Sequence, residues 1–275
     1  MVGPDWLVPQ WPAPAHVRSV FTTRAGGCSQ GCWAGLNLGN HVGDVPEHVA
    51  HNRAQLAQAL GVQPQYLSQV HGVDVVQLPI AQPHQLCLAD AAWTPQAGQV
   101  CTVMVADCLP VLFTDTQGRR VAAAHAGWRG LLGYKGMGVL EATVQHLLAP
   151  GLNPKPEQSL AIDHFVATNL IAWLGPCIGP QAFEVGDEVR AAFVQDDTAT
   201  EVFFRPGAHA KWWADLPGLA RHRLARLGLT QMHGNDGSDA WCTVSQPSRF
   251  FSHRRDAAVL GSSGRMAACI WIERG

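Results

Sequence analysis

Apolar and polar positions are patterned most sharply between residues 103 and 125. Val103-Met104-Val105 leads into the polar pair Asp107-Cys108. Val111-Leu112-Phe113 ends at Asp115-Thr116-Gln117-Gly118, and Val121-Ala122-Ala123-Ala124 ends at His125. Two strand-like runs about a polar, glycine-containing turn predict a β-hairpin. Folded about the midpoint of Thr116 and Gln117, that hairpin sets Cys108 opposite His125. Opposed Cβ atoms lie about 4.5–5.5 Å apart; a turn shifted by one residue makes the pair diagonal, at about 7–8 Å. Pro110 has no N–H to give a ladder, so pairing near Cys108 is expected to be loose or at a sheet edge.

The same reading extends along the chain. Val17 to Thr23 predicts a strand, followed by a long glycine-rich loop from Arg24 to Asp44. Long ordered loops more often carry function than fill space. Pro46 to Leu60 predicts a helix, with Pro46 in the first turn, Val49, Arg53, Leu56 and Leu60 on one stripe and Gly61 past the end. Tyr66 to Val76 predicts strands on both sides of a His71-Gly72 interruption. Further helices are predicted over Lys135 to Leu148, Phe183 to Phe193 and Leu216 to Leu227, the last capped by Asp215. Ile171 to Leu174, Trp241 to Val244 and Met266 to Ile272 read as strands. Strand clusters with helices between them and no repeat or linker predict one α+β domain over residues 1–275.

Composition narrows the class. The chain of 275 residues is 47% hydrophobic and 15% charged, enough to bury a large core. A formal net charge of −2 and no Lys or Arg run argue against nucleic acid and anionic membrane surfaces. No apolar stretch is long enough to span a bilayer. The first residues lack a basic and then apolar leader, so a cytoplasmic location is expected and the eight cysteines read as reduced thiols. Cys101 and Cys269 sit inside apolar runs and read as core residues. Cys28 and Cys32, spaced C-x₃-C, read as loop thiols.

Of the thirteen histidines, His48, His51, His146 and His222 fall on helical runs among polar residues and are assigned nothing. His71, Cys108 and His125 each end a strand-like run beside a Gly or Pro. They could form a nucleophile–base pair of Cys108 and His125. They could instead form a His₂Cys site on a divalent metal, with a fourth position open as in catalytic zinc. Copper tolerates the same donors. A third reading is a buried thiol beside two hydrogen-bonded histidines. Arg24, Arg129 and Arg254 lie in polar breaks beside strands and are candidate anion binders. Gly127 to Gly130 precedes a helix whose free N–H groups would favour a phosphate or carboxylate.

The segments FTTRAGG, NLGNHVGD, SQVHG, ADCLPVLF, AAAHAGWRG, GPCIGP, FFSHRRD and GRMAACIW together resemble the YfiH family. That family is also called the laccase-domain or polyphenol-oxidase family and overlaps the peptidoglycan-editing-factor group. The resemblance runs from about Phe21 to Trp271. It implies a four-layer α/β/β/α sandwich with mixed β-sheets and a zinc site on His71, Cys108 and His125. It implies phosphorolysis of adenosine, inosine, guanosine and methylthioadenosine, and adenosine deamination, with purine nucleosides and phosphate as partners. Copper-dependent laccase activity and a Cys108–His125 hydrolase dyad are also attached to the family. By motif position, Arg24, Asp107, Arg129 and Arg254 are expected on the substrate side. The H-x-E…P-C-x-x-C signature of nucleobase deaminases is absent, so Asp107 or Asp90 is the expected proton carrier. Leu152 to Asn169 departs from the family pattern and reads as a surface insertion.

Overall fold

A computed structural model describes residues 5–80, 87–148 and 167–275. The first half runs β1 (Val17–Phe21), α1 (Pro46–Leu60), β2 (Pro64–Gln65), β3 (Val75–Gln77), β4 (Ala91–Thr94), β5 (Val100–Val105), β6 (Leu109–Asp115) and β7 (Val121–Ala126). Then follow α2 (Trp128–Leu132), α3 (Val139–Leu148), β8 (Leu170–Leu174), β9 (Glu184–Gly186), α4 (Asp187–Asp196), β10 (Phe204–Pro206) and β11 (Lys211–Ala214). The chain closes with α5 (Leu216–Arg226), β12 (Gln231–Gly234), α6 (His253–Leu260) and β13 (Met266–Ile272).

Two mixed sheets face each other. One has four strands in the order β1-β13-β5-β2, the other six in the order β12-β8-β6-β7-β4-β3. A small β10-β11-β9 sheet stands apart. The period of two along each strand sorts side chains into layers. Val121 and Ala123 point to the inter-sheet core with Leu112, Trp173, Val103 and Ile270. Ala122, Ala124 and Ala126 point the other way, against Leu140 and Val144 of α3 and Leu219 of α5. On the far side, Val20, Met104 and Cys269 pack on Leu56 of α1. The result is the expected α/β/β/α sandwich in one α+β domain, since each sheet contributes to two of the three cores. Among the described residues no helix is long and apolar enough to cross a membrane.

Local signals act where expected. Gly61 ends α1 in the left-handed region, φ 71°, and donates to the Ala57 carbonyl at 2.9 Å. Asp215 caps α5 by accepting from the Gly218 amide at 2.8 Å. Cys101 and Cys269 are buried, and all eight cysteines are free thiols.

Several expectations are corrected. The hairpin pairs Pro110 with His125 and Leu109 with Ala126, a turn shifted by one residue, so Cys108 lies diagonal to His125. β6 is an interior strand, not an edge. Pro110 is tolerated because its carbonyl still accepts from the Gly175 amide at 2.9 Å, while the Gly175 carbonyl accepts from Asn235 Nδ2 at 2.9 Å instead. Trp241 to Val244 is no strand, because Asp239–Trp241 closes a single tight helical turn instead. Of the Tyr66–Val76 run only Val75–Gln77 extends from a strand; the carboxylate of Asp90 takes over the amides of Val70, His71 and Gly72. The helix expected from Lys135 starts at Val139, and the one expected over Phe183–Phe193 is displaced to Asp187–Asp196 by β9. Most of Leu152–Asn169 falls at residues 149–166, outside the described residues.

Candidate metal centre

The site grows from three strand ends on one sheet. β4 pairs antiparallel with β7, Ala91 against Ala124, which sets Asp90 beside His125. The His125 amide donates to the Asp90 carbonyl at 2.7 Å, and ring Nδ1 meets Asp90 Oδ1 at 2.8 Å. His125 is on the inter-sheet face of β7. Cys108, just before β6, packs against the same face.

His71 arrives on a turn. Its φ of 61° is left-handed, a region that costs a non-glycine residue roughly 1–2 kcal/mol. Asp90 holds it there. Oδ1 accepts from the His71 amide at 2.9 Å, while Oδ2 accepts from Val70 at 3.1 Å and Gly72 at 2.7 Å. One buried carboxylate thus fixes the His71 backbone and the His125 ring together.

The donor atoms of His71, Cys108 and His125 all lie within 4.8 Å of one another. A tetrahedral ion bonded at about 2.3 Å to sulfur and 2.0–2.1 Å to nitrogen holds two such donors about 3.6 Å apart. Cys108 Sγ and His71 Nε2 are 3.7 Å apart. The two imidazoles meet edge to face at 4.8 Å between centroids. With Nδ1 of His125 taken by Asp90, Nε2 is left for an ion, the carboxylate–histidine arrangement that orients metal ligands. The residues therefore fit a three-ligand ion with an open position.

Electrostatics agree. Burial pushes the Cys108 thiol up, but the His125 and His71 imidazoles outweigh it and hold the thiol down at about 6. Burial pushes His125 down, but Cys108 and Asp90 lift it to about 9. Burial likewise opposes ionisation of Asp90, yet its bonds to His125 and the backbone amides keep it below the ordinary carboxylate value.

The ligands open onto a cavity of about 390 Å³. Trp128, Ile178, Phe183 and Leu216 contribute apolar lining, and His41, Gln69 and Arg265 contribute polar lining. Glycines make room at its floor. A Cβ on Gly127 would lie 2.7 Å from His71 Cδ2 and 3.1 Å from Cys108 Sγ, and one on Gly130 would lie 2.6 Å from the Gly72 carbonyl.

The other expected site residues divide. Asp107 lines the cavity with φ 93°, but its oxygens accept from the Thr243 hydroxyl at 2.5 Å and the Arg254 amide at 2.6 Å. Its carboxylate braces the rim. Arg129 lines the cavity, stacked on Trp128 at 4.4 Å; Arg254 lines it while donating to the Glu184 carbonyl at 3.0 Å. Arg24 does not reach the cavity. Its guanidinium is captured by the carbonyls of Pro247 at 2.9 Å and Ala34 at 3.3 Å and rests 4.8 Å over Phe251. Gly127–Gly130 opens a helix of only five residues, so its glycines serve close approach rather than an anion site. His41, Gln69 and Arg265 were missed; their only signal was membership of NLGNHVGD, SQVHG and GRMAACIW.

This fold and this His₂Cys floor define a class. A family model described as multi-copper polyphenol oxidoreductase laccase matches residues 18–273, and the chain belongs to that family. Its relatives are more specific. A purine nucleoside phosphorylase of Pseudomonas aeruginosa is 46% identical over 269 residues, covering 98% of each chain. The purine nucleoside phosphorylase YfiH of Escherichia coli K12 is 46% identical over 97% of this chain and 98% of its own. A crystal structure of a Neisseria meningitidis protein superposes with a TM-score of 0.84 at 41% identity, covering 98% of this chain and 100% of that one. YlmD of Geobacillus stearothermophilus superposes with a TM-score of 0.81 at 28% identity, covering 100% of this chain and 98% of that one.

Proposed function

We propose that the chain is a zinc-dependent purine nucleoside phosphorylase acting on adenosine, inosine, guanosine and methylthioadenosine. The observation that carries this reading is the His71–Cys108–His125 group at the floor of a cavity that has apolar lining and several cationic side chains. Relatives named for that activity at 46% identity over nearly the whole chain support it. In the reaction a phosphate oxygen bonds to ribose C1′ as the glycosidic C–N bond breaks, and the base leaves with the bonding pair and takes a proton. A bound zinc would supply Lewis acidity at the open position. Asp90 keeps His125 and His71 in ligand geometry. Trp128 and Phe183 supply aromatic lining that suits a purine.

The test is chromatographic. Zinc-loaded protein is incubated with each nucleoside, with and without phosphate. Phosphate-dependent release of free base is expected; no base release from any nucleoside would refute the reading. The same screen reads adenosine deamination as inosine formed without phosphate. Asp90 already accepts four hydrogen bonds, two on each oxygen, whereas Asp107 accepts one on each and keeps capacity to carry a proton; deamination is the secondary activity in this proposal. The family description also favours a copper reading, since thiolate and imidazole accept either ion. Copper-loaded protein oxidising phenols faster than the zinc form turns over nucleosides would replace the zinc assignment.

A further inference from the structure

Two family segments, NLGNHVGD and GRMAACIW, have no role in the metal site, yet they converge on one corner of the cavity. Asn37, fully buried, accepts from the Arg265 amide at 2.8 Å through Oδ1 and donates to Asp44 at 2.8 Å through Nδ2. The Leu38 amide donates to the Arg265 carbonyl at 3.0 Å. Gly39 leaves space for the Arg265 stem, because a Cβ there would lie 2.7 Å from Arg265 Cγ. The loop then delivers His41 to the same cavity. Asn37, Leu38 and Gly39 thus fix the arginine, and the same loop carries His41.

The guanidinium so fixed is underused. Nη1 donates to the carbonyls of Ser263 at 2.8 Å and Gly264 at 3.2 Å. Nε and Nη2 have no protein partner among the described residues, and Arg265 joins no ion pair there. Arg129 and Arg254 are exposed at the mouth, whereas Arg265 is half-buried in the wall. A charge-assisted bond gains strength as water is excluded. Burial weakens the hold of Arg265 on its proton, while the negative charges of Cys108 and Asp107 strengthen it, so the guanidinium lies within the field of the metal group. Partial burial and the charges of Arg265 and Arg53 oppose protonation of His41, which places its ring within reach of the Arg265 charge.

We propose that Arg265 and His41 form the orthophosphate subsite of the cavity, with Nε and Nη2 of Arg265 as the paired donors. The inference rests on the phosphorylase reading for its ligand and replaces the earlier expectation that Arg24 holds the anion. The purine and ribose then take the rest of the cavity, whose lining includes Trp128 and Phe183.

Titration calorimetry of the zinc-loaded protein with inorganic phosphate tests this without needing turnover. Arg265→Gln should weaken phosphate binding roughly ten- to a hundred-fold, the loss of one or two charge-assisted bonds. Arg265→Lys should recover part of the affinity, and Arg24→Gln should bind as the parent does. His41→Gln, on an exposed loop, supplies a second variant with a smaller weakening. In phosphorolysis Arg265→Gln should raise the phosphate KM and leave the nucleoside KM within about twofold. Phosphate binding unchanged in both Arg265→Gln and His41→Gln overturns the proposal, as does equal weakening in Arg24→Gln. A nucleoside 5′-monophosphate that binds through Arg265 while orthophosphate does not would also overturn it. A parent that binds phosphate through Arg265 yet splits no nucleoside refutes the phosphorylase reading and leaves the subsite standing.

Discussion

Replacing Asp90 by Asn tests how the centre is held. The carboxylate is buried and accepts four hydrogen bonds, from His125 Nδ1 and the amides of Val70, His71 and Gly72. Two converge on each oxygen. An amide keeps one oxygen and turns an NH₂ toward two of those donors, whichever way it is placed. Hydrogen bonds to a charged group contribute about 1.5–3 kcal/mol each, so two lost bonds come to roughly 3–6 kcal/mol. The bonds share one group and are not additive, which favours the lower end, near 3 kcal/mol. For a domain of this size that lowers Tm by roughly 6–12 °C. Metal affinity should fall about ten- to a hundred-fold, the usual loss when a partner that orients a histidine ligand is removed.

Asp90 has a depressed folded pKa. Its stabilisation is complete above the unfolded carboxylate value and is lost as pH falls through the folded one. The gap between parent and variant should therefore be full at neutral pH and narrow in acid. The assays are zinc competition against a chromophoric chelator and thermal melting across pH. A variant that binds zinc and melts as the parent does at pH 7 would refute the account of Asp90.

Cys108 should be alkylated slowly by iodoacetamide with zinc bound and quickly after chelation, read by site-resolved mass spectrometry; rapid labelling with zinc present, or a substrate adduct on Cys108, would restore the cysteine-nucleophile reading. Zinc binding at pH 7.5 should release about one proton, because the metal-free site holds Cys108 ionised, at about 6, and His125 protonated, at about 9. Affinity should thus climb roughly tenfold per pH unit between those values and level off above them, and calorimetry in buffers of different ionisation enthalpy counts the proton. Gly127→Ala has an allowed backbone at φ −68° but sets a Cβ against His71 and Cys108. It should cost the metal-free fold no more than about 1–3 kcal/mol while lowering zinc affinity at least tenfold by equilibrium dialysis.

The period of two in Val111–Phe113 and Val121–Ala124 was enough to predict the hairpin and to set Cys108 and His125 on one face, because alternation is a property of the local chain. The α1 and α5 boundaries were legible for the same reason: Pro46, Gly61 and Asp215 act on their own neighbours. Register was not legible, since the turn that sets it differs from its alternative by a single residue, and the choice is made by packing across two sheets. The roles of Asp90, Asp107 and Arg24 were equally closed to the sequence. Each is a polar residue in a break between strands, and only the fold decides whether its charge meets backbone amides, a helix start, a pair of carbonyls or open cavity. Arg265 shows the limit most clearly. Its strand was predictable from Met266–Ile272, but its pairing with a loop more than two hundred residues earlier exists only in three dimensions. Local pattern determined what the elements are, and long-range packing determined which of their side chains share a site.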